Sequence, residues 1–201
     1  MRTTTQLAAL LVAAAVVSTP VRADPFDADG YRSASYRAPV DRDPAPARPI
    51  TAVETRRLRP GRTALFLDVL PAEGAHRDPD SGLWALAEPH QTIPGALWYP
   101  ETGRSPVATT LWAALAARVA LFRSGHPADP VVVFCRADCW MSWNAARRLA
   151  LAGVRDVRWF GEGIDGWHKA GGSLVTATPV AIPDPPGALA AQIPSRTRGT
   201  P

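Results

Sequence analysis

Residues 131–150 have the sequence VVVFCRADCWMSWNAARRLA, and this stretch decides the fold. Val131–Phe134 is a continuous apolar run rich in β-branched residues, which predicts a strand buried on both faces. A helix is expected from about Ser142 to Ala152, because small alanine side chains let one face pack closely on a sheet and Gly153 favours a helix end. Both cysteines of the chain lie in the loop between this strand and this helix.

Other strands and helices are predicted on both sides of this unit. Apolar runs predict strands at residues 64–70, 96–99 and 157–160. Apolar residues recur at helical spacing from Leu111 to Phe122, which predicts a helix that ends at Ser124-Gly125. Strands that alternate with helices indicate a mainly parallel sheet, so the predicted fold class is an α/β three-layer sandwich. The segments expected to lack regular structure are the surface loop Pro71–Thr92 and the glycine-rich turn Gly161–Trp167.

The two ends of the chain differ from its centre in composition. Residues 1–23 contain a cation at Arg2, an apolar run of 12 residues and small residues before Asp24, which is the pattern of a cleaved secretory signal peptide. A membrane-spanning helix needs about 20 apolar residues, so we expect export to an oxidising compartment and no membrane span after processing. The remaining segments are predicted to be a Pro/Arg-rich extended arm (24–60), the folded domain (61–178) and a Pro-rich tail (179–201).

Composition argues against two kinds of ligand. The formal net charge is +4, and it falls to +2 once residues 1–23 are removed. No concentrated basic face or base-stacking module is visible, so nucleic acid is not an expected partner. The four histidines show no metal-ligand spacing and the cysteines lack a second pair, so we expect no metal site and no bound cofactor.

The cysteine loop carries the predicted chemistry. A loop that enters a helix directs backbone N–H groups toward a bound anion, beside the positive end of the helix dipole. A thiolate held there is stabilised and its pKa falls. We therefore predict Cys135 to be the nucleophile and Cys139 its resolving partner. The spacing also allows an inert local disulfide or two unpaired buried thiols. The other residues expected to form this anion-binding loop are Arg136, Ala137, Asp138, Trp140, Met141 and Ser142.

Four further side chains are candidates for supporting this loop. Asp68 is expected to orient it by accepting backbone N–H bonds across the strand ends, and Asn144 to bond loop carbonyls near the start of the helix. Asp165 is either a proton acceptor near the thiol or a turn-capping residue. Trp140 is either an aromatic lid over the thiol or a core residue.

Residues 64–178 resemble a rhodanese domain. The matching elements are Phe66-Leu67-Asp68-Val69, Thr92-Ile93-Pro94-Gly95-Ala96, the strand that ends in Cys135, and Gly163-Ile164-Asp165-Gly166-Trp167. More narrowly, the string CRADCWMSWNAA from Cys135 onward, with Tyr31-Arg32 and Tyr36–Val40, resembles the PQQ-dependent catabolism-associated CXXCW-motif proteins. This resemblance implies a rhodanese-like sandwich, a periplasmic location and a catalytic Cys135. The partners it implies are a small sulfur compound or a protein thiol, and a quinoprotein alcohol dehydrogenase or cytochrome c.

The chain departs from the rhodanese pattern at two cationic positions. Trp140 replaces the loop Arg of active rhodaneses, and Leu70 replaces the Arg of the first-strand motif. Because thiosulfate is a dianion, these changes argue against it as the substrate. The leading hypothesis is persulfide transfer or thiol–disulfide exchange in support of a quinoprotein system. The alternative is a non-catalytic binding module with a structural Cys135–Cys139 disulfide.

Overall fold

The computed structural model describes residues 24–186. The predicted signal peptide and residues 187–201 of the predicted tail lie outside the described residues. In chain order the elements are β1 (Arg48–Pro49), α1 (Ala52–Thr55), β2 (Leu65–Asp68), β3 (His76–Arg77), β4 (Trp84–Ala85), β5 (Gln91–Thr92), β6 (Leu97–Trp98), α2 (Thr109–Gly125), β7 (Val131–Phe134), α3 (Trp140–Leu151), β8 (Val157–Phe160), α4 (Gly163–Lys169) and β9 (Val175–Thr176).

A five-stranded parallel sheet forms the centre of the molecule. Its strand order is β1-β8-β7-β2-β6, with β7 in the middle. The residues of β2 and β7 are buried throughout, as continuous apolar runs require when helices cover both faces of a sheet. The predicted α/β class with a parallel sheet is therefore confirmed.

Alternate residues of each strand supply two hydrophobic cores, one on each face of the sheet. Leu67 of β2 and Val133 of β7 pack with α2 and α3, whereas Phe66 and Phe134 pack with α1 and α4. The side chains of α2 that were predicted to face the core are buried: Leu111, Leu115, Val119 and Phe122. This period-two division gives the three layers of the sandwich.

Two predicted segments differ in the structure. Helix α3 begins at Trp140, two residues before the expected start, because Cys139 is extended and serves as its N-cap residue. The expected glycine-rich turn at 161–167 is wrong: Gly163–Lys169 forms α4, whose first residue Gly163 has a φ of +56°. Its second glycine does not break the helix, because Trp167 anchors α4 in the core.

The predicted surface loop Pro71–Thr92 also contains regular structure. Strand β3 pairs with β4 in an antiparallel ladder, and β5 pairs in the same way with β9. His90, within this segment, is buried. The segment therefore covers part of the domain.

Residues 24–60 pack on the domain over much of their length. Strand β1 pairs with β8 at the edge of the sheet, and the backbone of Arg32 bonds to Asn144 of α3. Residues 179–184 also return to the domain, since the N–H of Val180 donates to the carbonyl of Trp98 and Ile182 is buried. Within residues 24–186 no helix is long and apolar enough to cross a membrane.

Candidate functional site

The carboxyl edge of the parallel sheet brings the predicted chemical residues together. Cys135 directly follows β7, whose last residue, Phe134, is in register with Asp68 at the end of β2. Asp68 in turn pairs with Trp98 at the end of β6. Adjacent parallel strands therefore deliver a thiol, a carboxylate and an indole to one edge of the sheet.

The cysteine loop, residues 135–139, is held by backbone contacts at both ends. The carbonyl of Cys135 accepts a 2.9 Å bond from the N–H of Ile164, and the carbonyl of Asp138 accepts one from Ala38. In the middle of the loop, the N–H of Ala137 donates to the Asp165 carboxylate at 2.8 Å. The Asp165 carboxylate therefore holds the backbone of the cysteine loop in place at Ala137. Asp138 adopts a left-handed conformation with φ +53°, which reverses the chain before α3.

The sulfur of Cys135 is completely buried beneath this loop. It lies 3.2 Å from Ser142 Oγ and 3.5 Å from the carbonyl oxygen of Cys139, which are alternative acceptors for its single proton. The Ser142 hydroxyl donates to that same carbonyl and accepts from the Trp159 indole N–H, so its own proton is already used. Burial, followed by the contact with Cys139, raises the pKa of Cys135 well above the value of an ordinary thiol.

Cys139 is also buried, at 2% exposure, but its pKa is shifted in the opposite direction. It occupies the N-cap position of α3 and lines a cleft of about 330 Å³. Its pKa is lowered by a hydrogen bond from Cys135, by the N–H groups of Met141 and Ser142, and by the charge of Arg136, against an opposing effect of burial. The Cys139 sulfur makes no capping hydrogen bond, so the N–H groups of Met141 and Ser142 lower its pKa mainly as local dipoles.

The pKa directions of the two cysteines differ from the expected ones, whereas their roles as nucleophile and resolving thiol stay a prediction. The pKa of Cys135 is raised and not lowered, because burial and the contact with Cys139 outweigh the hydrogen bonds of the Ser142 hydroxyl and backbone N–H. Both are free thiols, and they are close enough for a hydrogen bond between their sulfur atoms.

The cleft at Cys139 is rich in arginine. Arg37, Arg104 and Arg136 line it, together with a single carboxylate, Glu73. Part of its wall comes from the N-terminal segment: the N–H of Trp140 donates to the carbonyl of Tyr36, and Arg37 forms a backbone bridge with Cys139. Arg37 and Arg104, from other segments of the chain, thus line the cleft beside Arg136 of the loop, and Arg104 is paired with Glu101.

Trp140 and Met141, at the start of α3, are core residues. Trp140 is 1% exposed and makes edge-to-face contacts with Phe26 and Trp143, which favours the core role among the two alternatives for this residue. Met141 is also buried, and its carbonyl lies where a side chain at residue 103 would stand, which explains Gly103.

Two support residues have partners other than those expected. Asp68 does not contact the cysteine loop; its carboxylate accepts bonds from the Leu70 N–H, His90 and Thr92. Asn144 does not bond the carbonyls of the loop either. It joins the backbone of Arg32 to the carbonyl of Gly103. Both side chains are fully buried, and their amide or carboxylate groups hold neighbouring segments in place.

His90 is a site residue that the sequence interpretation missed. It is 9% exposed, bonds Asp68 through Nε2 at 2.7 Å, and lines a second cleft next to that of Cys139. Its place two residues before the Thr92-Ile93-Pro94-Gly95 element could have indicated it, since that element precedes a strand neighbouring Asp68.

No group of three or more His, Cys, Asp or Glu side chains in residues 24–186 is arranged to hold a metal ion. The chain matches no protein-family model, and it matches neither a curated protein nor a solved structure.

Proposed function

We propose that this chain is a rhodanese-like thiol protein that performs thiol–disulfide exchange, with Cys139 as the nucleophile and Cys135 as the resolving thiol. The observation that supports the proposal is the paired environment of the two sulfurs. Cys139 lines an arginine-rich cleft and has a lowered pKa, whereas Cys135 lies beneath the loop and has a raised pKa. This assignment reverses the roles expected from the sequence.

The reaction has two balanced steps. The Cys139 thiolate attacks one sulfur of a disulfide, forms a mixed disulfide and expels the other sulfur as a thiolate. Cys135 then loses its proton and attacks the Cys139 sulfur of the mixed disulfide, which releases the second thiol and leaves a Cys135–Cys139 disulfide. The substrate disulfide is reduced and the protein dithiol is oxidised. The hydrogen bond between the sulfurs supports the second step, because it keeps the resolving thiol in reach.

Persulfide transfer is the second candidate, and the charge of the cleft favours it. Arg37, Arg104 and Arg136 provide cations for an anionic sulfur donor although the loop Arg is missing. In this reaction the Cys139 thiolate attacks the outer sulfur of the donor, and the donor leaves with the electron pair of the broken bond. One sulfur atom is then carried on Cys139.

The resemblance to the CXXCW-motif proteins supports the wider setting of the proposal. The chain is exported to the periplasm after removal of residues 1–23, and there it supports a quinoprotein alcohol dehydrogenase or cytochrome c. Its direct partner is a small sulfur compound or a protein thiol of that system.

The test is intact-mass analysis after exposure of the reduced protein to a small disulfide. We expect the wild type to lose two hydrogens without a lasting adduct, Cys135→Ser to keep one half of the reagent on Cys139, and Cys139→Ser to remain unmodified. A gain of one sulfur from a persulfide donor, lost in Cys139→Ser alone, would instead identify sulfur transfer. A native disulfide that resists mild reductant, with silent Cys→Ala variants, would contradict both reactions and favour a binding module.

A further inference from the structure

A buried polar cluster stands beside the cysteine site and has no role in the two steps above. The Asp68 carboxylate is completely buried and accepts three bonds, at 2.9 Å from the Leu70 N–H, 2.7 Å from His90 Nε2 and 2.6 Å from Thr92 Oγ1. The His90 ring also packs on Trp98, with 4.5 Å between the ring centroids. The imidazole is therefore fixed in position and in orientation.

This hydrogen-bond pattern leaves one imidazole nitrogen free for other chemistry. Because a carboxylate accepts, Nε2 carries the hydrogen shared with Asp68. Nδ1 has no hydrogen-bond partner within residues 24–186. A His whose second nitrogen is held by a carboxylate is the usual arrangement for a general acid or base, since the carboxylate stabilises the imidazolium.

His90 lies on the wall of a cleft of about 260 Å³. This second cleft is next to the cleft of Cys139, and the two share Pro71, Glu73 and Arg136 as lining residues. The charged groups on its wall besides His90 are Glu73, Glu88 and Arg136. The strand register explains the proximity, because Asp68 is paired with Phe134, the residue directly before Cys135. A molecule attached at Cys139 therefore has space to extend past Arg136 toward the imidazole.

We propose that the second cleft receives the leaving half of the substrate disulfide, and that His90, held by Asp68, donates a proton to the departing thiolate. This inference rests on the proposed exchange at Cys139. As the Cys139 thiolate forms its bond to the near sulfur, the substrate S–S bond breaks and the far sulfur takes the electron pair. That sulfur receives the proton of Nδ1, and the neutral imidazole regains a proton from water at the mouth of the cleft.

A comparison of two neutral disulfides with different leaving groups tests this assignment. Thiopyridine leaves dipyridyl disulfide readily without a proton, whereas the hydroxyl-bearing alkyl thiolate of hydroxyethyl disulfide is a poorer leaving group. Single-turnover rates are measured with the reduced protein and with His90→Gln, whose amide still donates to Asp68 but transfers no proton. We expect a loss of about 10²-fold with hydroxyethyl disulfide and little change with dipyridyl disulfide.

His126→Gln is the matched control, because His126 is exposed and, like His90, combines a bond to a carboxylate (Asp129) with packing on an aromatic ring (Phe122). Thermal unfolding of each variant shows that the fold is retained. Equal effects of His90→Gln on both reagents, or no effect on either, would overturn the assignment of His90 while leaving the exchange at Cys139 intact. Failure of the wild type to react with either reagent would instead refute the exchange itself.

Discussion

The Sγ atom of Cys135 lies 3.2 Å from the Oγ atom of Ser142, inside the core and out of contact with solvent. Because the Ser142 hydroxyl is already a donor to the Cys139 carbonyl, it acts on Cys135 as an acceptor. Cys135 therefore remains a thiol whose proton points into the protein. For its neighbour Cys139, the contact with Cys135 and the N–H groups of Met141 and Ser142 lower the pKa, so the pKa values of the two thiols are shifted in opposite directions.

The first prediction concerns the pH at which Cys139 becomes reactive. Its lowered pKa means that alkylation of Cys139 has its midpoint below the ~8.5 of a free thiol. Because the hydrogen bond from Cys135 is the largest cause, Cys135→Ala should move the midpoint upward, whereas Cys135→Ser, which retains a donor, should move it less. Iodoacetamide rates across pH, followed by mass, measure both. A wild-type midpoint at or above that of a free thiol contradicts the prediction.

The second prediction concerns stability at alkaline pH. Burial raises the pKa of Cys135, so above the pKa of a free thiol the unfolded chain loses a proton that the folded chain retains. The free energy of unfolding attributable to Cys135 is complete below that pH and falls as pH rises, by about 1.4 kcal/mol per pH unit, until the folded pKa is reached.

Urea unfolding of Cys139→Ser, in which Cys135 is the sole thiol, measures this slope. The double variant Cys135→Ser/Cys139→Ser is the control and should lack the thiol contribution. Parallel pH profiles for the two proteins would show that Cys135 does not titrate as described.

The third prediction concerns the connection between Asn144 and the N-terminal segment. Asn144→Ala removes three hydrogen bonds, two to the backbone of Arg32 and one to Gly103. We expect a loss of about 1–3 kcal/mol, because each buried partner must find another bond. Since Tyr36 and Arg37 form part of the cleft wall, alkylation of Cys139 in the folded variant should also become several-fold faster. Ser33→Ala, on the same segment, is the control. Equal alkylation rates in both variants would refute the idea that the N-terminal segment limits access to Cys139.

The fourth prediction separates a steric contact from backbone strain. A Cβ at Gly163 would lie 2.4 Å from the Cys135 carbonyl oxygen, and φ there is +56°. Gly153 has a φ of +86° but open space around it. Gly153→Ala should therefore cost about 1 kcal/mol, and Gly163→Ala about 1–2 kcal/mol more, with a shift in Cys139 reactivity that Gly153→Ala lacks. Urea unfolding compares them, and equal losses would mean that the loop adjusts freely.

The layered fold was predictable because continuous apolar runs and a helical repeat mark its buried elements. The apolar run Val131–Phe134 is enough to predict a strand buried on both faces. The spacing of apolar residues in Leu111–Phe122 is enough to predict a helix with one buried stripe. Helix α4 was missed because its glycines disfavour a helix in isolation. The packing of Trp167 against Phe66, 6.4 Å between ring centroids, overrides that preference.

The N-cap position of Cys139 was missed because of one local error. A helix start at Ser142 left Cys139 inside the loop, whereas the true start at Trp140 makes it the N-cap residue and directs the amides at its sulfur. His90 was indicated only by its place before the Thr92-Ile93-Pro94-Gly95 element. Arg37 and Arg104, which line the cleft beside the predicted Arg136, could not be inferred in this way. They depend on contacts between distant segments, such as Arg37 with Cys139, which no local pattern encodes.

The bond between Arg32 and Asn144 joins residues 112 positions apart, and the paired residues of β1 and β8 are separated by a similar length of chain. On the ribosome, the residues that seal the sheet edge and the thiol emerge long before the residues that receive them. The entropic cost of closing such long loops increases only slowly with their length. The long separation therefore affects the rate of folding more than the stability of the folded protein. Burial of Cys135 is therefore completed only after β8 and α4 have been made, because Trp159 bonds Ser142 beside the sulfur and Ile164 bonds the Cys135 carbonyl.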